Sequence, residues 1–439
     1  MVRKQAMLAF AMLTATALPA QNSERKLTVE ELFGLVETGS RQLMTRKASE
    51  EAASQGVEVA KAGRLPDVNA SLSASYIGNV LMTNRHLGDA HGYHAPHLGN
   101  SFALEAQQIV YAGGAVDAAV RMADLQHEAA IASTEEARQQ QRFLALGQFL
   151  DIYKLDRRVQ VFDENMRLTQ QLIGQIAEKH RQGMALRNDI TRYELQMETL
   201  RLGKKKLEDQ RAILNYELCR TLGLADGAEI VPQLGADDAQ AATAGDPSLG
   251  AWQADARSSS PVLRQTALGI ELSKTEERLA RSAMRPTVAL FAAESFDGPI
   301  TFEIPPIDKN LNTWFVGVGI RYSISSLFKS NRKVKQAQSA TRRSELAHQA
   351  AAEQVENQMQ QAAVYYRQAF VELETRQKSV QLAAQNYDVM SERYANQLAL
   401  VTDMVDASNL KLNAELDEVD ARVGITYAYY RMKFIAGKL

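Results

Sequence analysis

Proline is missing from two long tracts of this chain, and this constrains the fold more than any other feature of the sequence. The ten prolines leave 97–231 and 307–439 without any. Because proline removes a backbone hydrogen bond and clashes inside a helix, such tracts favour very long helices. Apolar residues within them recur every three or four positions, as at Leu146, Leu150 and Tyr153. This spacing is typical of a coiled-coil seam.

Four shorter segments alternate apolar and polar residues, which is the period of a β-strand. In LPDVNASLSASYIGNV at 65–80, Val68, Leu72 and Tyr76 fall on one side of the chain, opposite Ser71 and Ser73. One interpretation is a small sheet with one face on a soluble core. The other is membrane-spanning strands with a lipid-facing row and a water-facing row. The four predicted strands cover about 66–80, 98–111, 286–296 and 312–325.

The two strand zones begin alike, which predicts an internal twofold sequence repeat. AGRLPDV at 62–68 and RSAMRPTV at 281–288 carry Pro66 and Pro286 in the same place. Each repeat would contain a helix, two strands and a helical hairpin. The predicted boundaries are 21–227 for the first repeat with its hairpin at about 112–225, 228–257 for a connector, and 258–439 for the second repeat with its hairpin at about 326–437.

The first twenty residues have the pattern of a secretory signal peptide. Arg3 and Lys4 precede an apolar run that ends in small residues, so cleavage after Ala20 is predicted, with 1–20 as signal peptide. The run is shorter than the roughly 20 residues that a membrane-spanning helix needs. The remaining chain is therefore expected to be exported from the cytoplasm.

Composition and motifs argue against two broad classes of function. A net charge of -2 with a pI near 6.4 gives no basic face for nucleic acid. We find no nucleophile–histidine–acid motif and no phosphate-binding glycine loop, so neither enzymatic activity nor a cofactor is predicted. The single cysteine, Cys219, is expected to be a small core residue.

Two motifs resemble the TolC-like outer-membrane efflux proteins, also called outer membrane factors. QIVYAGG at 108–114 is similar to that family's strand-to-helix junction, where Gly113 and Gly114 permit a positive φ. RYANQLALVTDMVDASNL at 393–410 is similar to its hairpin turn of the form Y-x₃-G-x₄-D-[apolar]₂-[DN]-A, with RQGMALRNDITRYEL as the counterpart in the first half. In the second junction Lys329, Ser330 and Asn331 stand where glycines are expected, and asparagine tolerates such a bend.

The resemblance implies an α+β membrane protein that works as a homotrimer. Four strands per chain would close a twelve-stranded outer-membrane β-barrel, continuous with a long periplasmic α-helical coiled-coil barrel. Such a protein is the passive exit duct of a tripartite efflux or type I secretion system in the outer membrane of a Gram-negative bacterium. Its partners would be outer-membrane lipid, a periplasmic adaptor (membrane fusion) protein and an inner-membrane transporter. The exported substrate, whether drug, metal ion or polypeptide, stays open, and a periplasmic coiled-coil adaptor or scaffold is the alternative.

The resemblance also assigns roles at the hairpin tips. Asp403 and Asp406 are three positions apart and share a helix face. They would form a cation-attracting ring at a periplasmic gate, or else cap and solvate the helix start. Asp189 and Tyr394 match positions that lock the tip closed, and Ala399 lies where a basic partner is often found.

Four histidines lie between the first two predicted strands, at His86, His91, His94 and His97. Imidazole is a favoured zinc and copper ligand, so they are weak candidates for a metal site. Nearby glycines and a proline favour a flexible extracellular loop instead. No metal site is predicted.

Overall fold

The computed structural model describes residues 24–225, 227–235 and 248–439. The predicted signal peptide at 1–20, and residues 236–247 of the predicted connector, lie outside the described residues. In chain order the elements are β1 (Glu24–Leu27), α1 (Val29–Gly39), α2 (Arg41–Ala62), β2 (Asp67–Tyr76), β3 (Val80–Met82), β4 (His91–Tyr93), β5 (Leu98–Ala112), α3 (Ala115–Arg181), α4 (Arg187–Leu222), β6 (Glu229–Pro232), α5 (Leu249–Ser259), α6 (Pro261–Ser282), β7 (Thr287–Gly298), β8 (Leu311–Arg321), α7 (Ser326–Ala395) and α8 (Val401–Ile435). None of the described helices is both long and apolar enough to cross a membrane.

The described residues form two compact units, and one of them, 45–137 with 257–357, contains the main sheet. The sheet is antiparallel, with the order β2–β5–β7–β8. Its register brings the start of β2, the end of β5, the start of β7 and the end of β8 to the same end of the sheet. The strands therefore join α2, α3, α6 and α7 at that end, and the connecting segments 77–97 and 299–310 lie at the other.

The register sorts the side chains of the sheet into two faces, because directly paired residues point to the same side. One face is mainly apolar, and its members are Val68, Leu72, Tyr76, Leu98, Phe102, Leu104, Leu290, Phe296, Trp314, Val316, Val318 and Ile320. The other is mainly polar, and its members include Asn69, Ser71, Ser73, Ser101, Glu105, Ser295 and Thr313.

Each face has exceptions. On the apolar face, the Asn312 side-chain amide donates to the Glu294 carboxylate at 3.4 Å. On the polar face, Phe291 and Phe315 meet edge to face with their ring centroids 6.0 Å apart. Phe291 also lies over Gly317, where an added Cβ would come within 2.7 Å of the ring. The polar face thus has an aromatic patch that strand alternation alone does not reveal.

The turn from β5 to α3 uses two residues with left-handed backbone. Gly113 has φ +66° and Gly114 has φ +91°. Both values agree with the positive φ predicted for this junction. The Gly113 carbonyl accepts a hydrogen bond from Nη1 of Arg285 at 3.2 Å. A Cβ on Gly113 would lie 2.7 Å from the Ser282 carbonyl oxygen, so the turn is closely packed as well as strained for other residues.

The turn from β8 to α7 does not follow the same plan, and the expectation for 329–331 is wrong. α7 begins at Ser326, so Lys329 and Asn331 are helical rather than part of the bend. The bend lies at 323–325, where the Ser326 hydroxyl donates to the Ser323 carbonyl at 2.5 Å. A serine hydrogen bond therefore stabilises this turn where glycine conformation stabilises the first.

The other unit consists of the described parts of 1–44, 138–256 and 358–439. β1 and β6 form a parallel pair beside a core that includes Leu32, Phe149 and Leu218. Cys219 is buried in this core, as predicted, and its thiol donates to the Ala228 carbonyl at 3.3 Å.

Replacing Gly113 by Ala should destabilise the protein more than replacing Gly114 by Ala. Both changes put a side chain at positive φ, which costs about 1–2 kcal/mol. Only Gly113→Ala also pushes a Cβ against the Ser282 carbonyl, which we expect to add about 1–3 kcal/mol. No described atom other than its chain neighbours lies within 4 Å of the Cβ position at Gly114. Thermal unfolding followed by circular dichroism measures the difference, and equal losses would contradict this explanation.

Candidate functional site

The apolar face of the sheet is exposed rather than covered by the described part of the chain. Leu72 is 81% exposed, Trp314 75% and Val316 72%. Contiguous apolar surface of this kind is rarely left in water by a soluble protein. Nothing in the described part of the chain supplies an apolar environment for this face.

The two outer strands of the sheet are unpaired along one side. Among the described residues, β2 pairs only with β5, and β8 only with β7. Each outer edge therefore presents backbone N–H and C=O groups without a strand partner. Such groups are costly to leave unpaired in an apolar medium, so there the edges would need partners from outside the described residues.

The two helical hairpins turn with the same backbone but different residues. In the first, Gly183 has φ +75° and the Met184 amide donates to the Lys179 carbonyl at 2.8 Å. In the second, Gln397 has φ +61° and the Leu398 amide donates to the Arg393 carbonyl at 2.7 Å. Both are Schellman-type helix ends. The family motif places its glycine at Leu398, but the left-handed residue is Gln397.

The tips of the two hairpins pack against each other in one apolar cluster, which we call the tip cluster. Its buried members are Ile176, Ile190, Tyr193, Val401 and Met404. Tyr387, Met390 and Tyr394 pack around it, partly buried. Residues far apart in the sequence therefore meet at this point, including the predicted Tyr394.

Asp403 and Asp189 both cap the start of a helix. Oδ2 of Asp403 accepts a hydrogen bond from the Leu400 amide at 3.0 Å, and Oδ2 of Asp189 accepts one from the Leu186 amide at 3.1 Å. The side-chain oxygen thus satisfies an amide that the helix leaves free. Asp406 is exposed one turn later and has no hydrogen bond or ion pair with any described residue. The capping alternative therefore applies to Asp403 but not to Asp406, and the cation-attracting ring remains a prediction.

Tyr394 has a basic neighbour that its own hairpin does not supply. Nζ of Lys179 lies 5.4 Å from the Tyr394 ring centroid and donates to the Ala395 carbonyl at 3.2 Å. Burial raises the pKa of Tyr394, and the negative charge of Asp189 raises it further. The tyrosine therefore stays protonated and able to donate near neutral pH. Sequence reasoning missed Lys179 because it searched for the basic residue near Ala399, within the same turn.

Tyr193 is buried in the tip cluster at 1% exposure. Its hydroxyl has no hydrogen-bond partner among the described residues. Burial raises its pKa strongly, with smaller contributions from Tyr394, Tyr387 and Asp189. Tyr193 thus stabilises the cluster through its ring.

The loop histidines make local contacts. The ring of His97 stacks on Tyr76 at 5.0 Å between centroids, and its Nδ1 lies 2.8 Å from the Ile77 carbonyl oxygen. Nδ1 of His91 lies 3.0 Å from the Asp89 carbonyl oxygen. Within the described ranges, no three His, Cys, Asp or Glu side chains are grouped so that they could hold a metal ion.

Asp403→Ala should lower the free energy of unfolding by about 1 kcal/mol, because the Leu400 amide loses its acceptor. Asp406→Ala is the matched control, since it removes the same charge three residues later without breaking a bond to a described residue. We expect its effect to stay within about 0.5 kcal/mol. Chemical denaturation of the two variants distinguishes them. A loss at Asp406 equal to that at Asp403 would contradict the capping role.

Solved structures of outer-membrane channels share this fold. The outer membrane protein VceC from Vibrio cholerae is 14% identical, with 93% of this chain and 96% of that chain covered and a TM-score of 0.77. The CmeC outer membrane channel from Campylobacter jejuni is 13% identical, with coverages of 93% and 85% and a TM-score of 0.74. For the open state of the MtrE outer membrane channel from Neisseria gonorrhoeae the identity is 14%, the coverages 93% and 88% and the TM-score 0.67.

No protein-family profile matches the sequence, and no curated protein gives a significant match. The likeness to the solved channels covers nearly the whole chain but at low identity, so it extends to the fold. The chain thus has the fold of outer-membrane channel proteins, which confirms for the fold the resemblance to TolC-like outer-membrane efflux proteins that its motifs indicate.

Proposed function

We propose that this protein is an outer-membrane channel for efflux, the exit duct of a tripartite efflux or type I secretion system in a Gram-negative bacterium. Three copies would join their sheets into a twelve-stranded barrel in the outer membrane. Their helical hairpins would form a tunnel that extends into the periplasm. The duct is passive, and an inner-membrane transporter supplies energy through a periplasmic adaptor protein.

The observation that carries this proposal is the four-stranded sheet with an exposed apolar face and two open edges. Lipid covers apolar strand rows in an outer-membrane barrel, and barrel closure pairs every strand edge. Four strands are too few to close a barrel, since the smallest have about eight. Pairing β8 of one chain with β2 of the next, three times, closes the sheet at twelve strands.

The mainly polar face then lines the lumen. Ser71, Ser73 and Thr313 would contact water there, while Phe291 and Phe315 would form an apolar patch on the wall. A polar interior lets water and hydrophilic cargo pass through a barrel of this size. The same alternation does not suit a soluble periplasmic scaffold, which would have to cover the apolar face with its own residues.

The predicted domains follow from this architecture. The signal peptide at 1–20 would direct export, and the repeats at 21–227 and 258–439 would each supply two strands and one hairpin to the trimer. The connector at 228–257 would belong to a smaller region of mixed structure around the equator of the helical tunnel.

The periplasmic gate is proposed at the hairpin tips. Threefold symmetry would gather Asp403 and Asp406 of three chains into a ring of carboxylates that attracts cations. Asp189 and Tyr394 would hold neighbouring hairpins closed. The cation–π contact of Lys179 with Tyr394 supports a tip that is fixed within one chain.

Val316→Arg tests the membrane-facing row. Val316 lies midway along β8 on the apolar face, where an arginine in lipid costs about 2–4 kcal/mol. We expect the variant to lose heat-modifiable trimers from the outer-membrane fraction. Ser71→Arg, midway along β2 on the polar face, is the control and should still assemble. A wild-type protein found as a soluble periplasmic species would overturn the proposed function.

The variant Asp403→Asn with Asp406→Asn tests the carboxylate ring. Asparagine keeps a side-chain oxygen for the Leu400 amide, so the helix cap survives while both charges are lost. Cation selectivity and block by multivalent cations should both weaken in single-channel recordings. Tyr394→Phe leaves both charges in place, so we expect its selectivity to be unchanged and its resting conductance to rise. Unaltered selectivity in the double variant would remove the ring while leaving the duct standing.

A further inference from the structure

The first turns of α7 carry an unbalanced positive charge. After Arg321 at the end of β8, the next acidic residue along the chain is Glu345. The exposed cations Lys329, Arg332, Lys333 and Lys335 lie between them, and we call these four the basic patch. Among the described residues, no carboxylate is within ion-pair distance of any of the four. The whole chain has a net charge of only -2, so this is a local concentration.

The basic patch begins at a locally unfavourable position. Lys329 is the fourth residue of α7, where a cation opposes the helix dipole, and α7 has no acidic residue in its first turn. The corresponding start of α3 carries Asp117 in its first turn, and its Arg121 pairs with Glu128 at 3.3 Å. Positive charge that is unfavourable for the helix and has no partner among the described residues indicates a binding partner outside them.

Exposed apolar side chains accompany the charges. Ile324 is 70% exposed and Phe328 76%. Along the helix, Phe328, Arg332 and Lys335 share a face opposite the buried Ser330 and Val334. An apolar anchor beside long basic side chains is typical of a segment lying at a lipid–water boundary.

The sheet sets the depth of this segment. β8 ends at Arg321 and α7 begins at Ser326, so the basic patch occupies the first three turns beyond the strand. At 1.5 Å per residue it ends about 14 Å past the start of the helix. If the sheet spans the hydrocarbon, as the proposed function requires, the patch lies in and just beyond the headgroup layer of the inner leaflet.

From this geometry we propose that the basic patch, with Ile324 and Phe328, binds the phosphate groups of anionic lipids in the periplasmic leaflet of the outer membrane. Lysine and arginine attract a negatively charged lipid surface over about a Debye length. The two apolar side chains enter the headgroup boundary and fix the height of the chain. This inference rests on the proposed function and adds a lipid class that the protein selects.

The test compares lipid enrichment around purified full-length protein. Protein reconstituted in phosphatidylcholine bilayers containing phosphatidylglycerol is extracted with zwitterionic detergent, and the retained lipids are measured by mass spectrometry. We expect the wild type to retain phosphatidylglycerol about tenfold over its bulk fraction, and less at high salt. The variant Lys329→Gln, Arg332→Gln, Lys333→Gln and Lys335→Gln should lose most of this enrichment.

Two further variants isolate the patch. A control with the same loss of charge on other exposed helix positions should keep the enrichment, and it replaces Lys205, Lys206, Arg220 and Lys378 by Gln. The charge-preserving variant Lys329→Arg, Lys333→Arg and Lys335→Arg should also keep it. Equal enrichment in the patch variant and the wild type would overturn the proposal. An equal loss in the control would overturn it too, because net charge and not the patch would then be responsible.

The remaining outcomes separate other occupants. If millimolar inorganic phosphate displaces the lipid completely, the patch binds a phosphate ion rather than a membrane surface, and the proposal is overturned. If the patch variant fails to form trimers in pure phosphatidylcholine, a second copy of the chain covers the patch, which also overturns it. Wild-type protein that neither inserts nor conducts would contradict the duct itself, whereas insertion and conduction without lipid preference would contradict only this inference.

Discussion

The rest of the structure depends on two features of the sheet that the described part of one chain does not complete: an uncovered apolar face and unpaired backbone groups along its outer edges. Its apolar face is exposed, and β2 and β8 each lack a partner along one edge among the described residues. Water is a poor solvent for the face, and lipid cannot hydrogen-bond the edges. The proposed closure with other copies inside a membrane would meet both requirements. The proposed trimer, the polar lumen and the position of the basic patch all depend on this constraint.

The antiparallel register of the sheet determines where the helices and the connecting segments lie. Because α2, α3, α6 and α7 all join the same end of the sheet, the helices leave from one side and the loop segments from the other. The two junctions that lead into the long hairpins solve the same bend differently. Gly113 uses a left-handed backbone, whereas Ser326 uses a hydroxyl bonded to Ser323. A junction therefore tolerates different residues, provided that the bend keeps its hydrogen bonds.

Strand alternation was informative because its period is local: the residues of 65–80 alternate, and β2 occupies Asp67–Tyr76. Long helices followed equally directly from the missing prolines. Motif spacing was weaker at the second tip, since the family pattern points to Leu398 while Gln397 takes the left-handed turn. A shift of one residue in the motif is enough to assign the left-handed conformation to the wrong residue. Asp403 shows the same limit. Its spacing from the next carboxylate does not reveal that its side chain accepts a hydrogen bond from the Leu400 amide.

By itself, the sequence determined the element types and the two faces of the strands, because helix and strand periods depend on neighbouring residues alone. It also carried the motifs that indicate the fold. Only the tertiary structure decided the strand order, which joins β5 to β7 across the two halves, and the meeting of Lys179 with Tyr394 at the tip. Both depend on packing between residues distant in the chain, and no local pattern encodes which distant surfaces pack together.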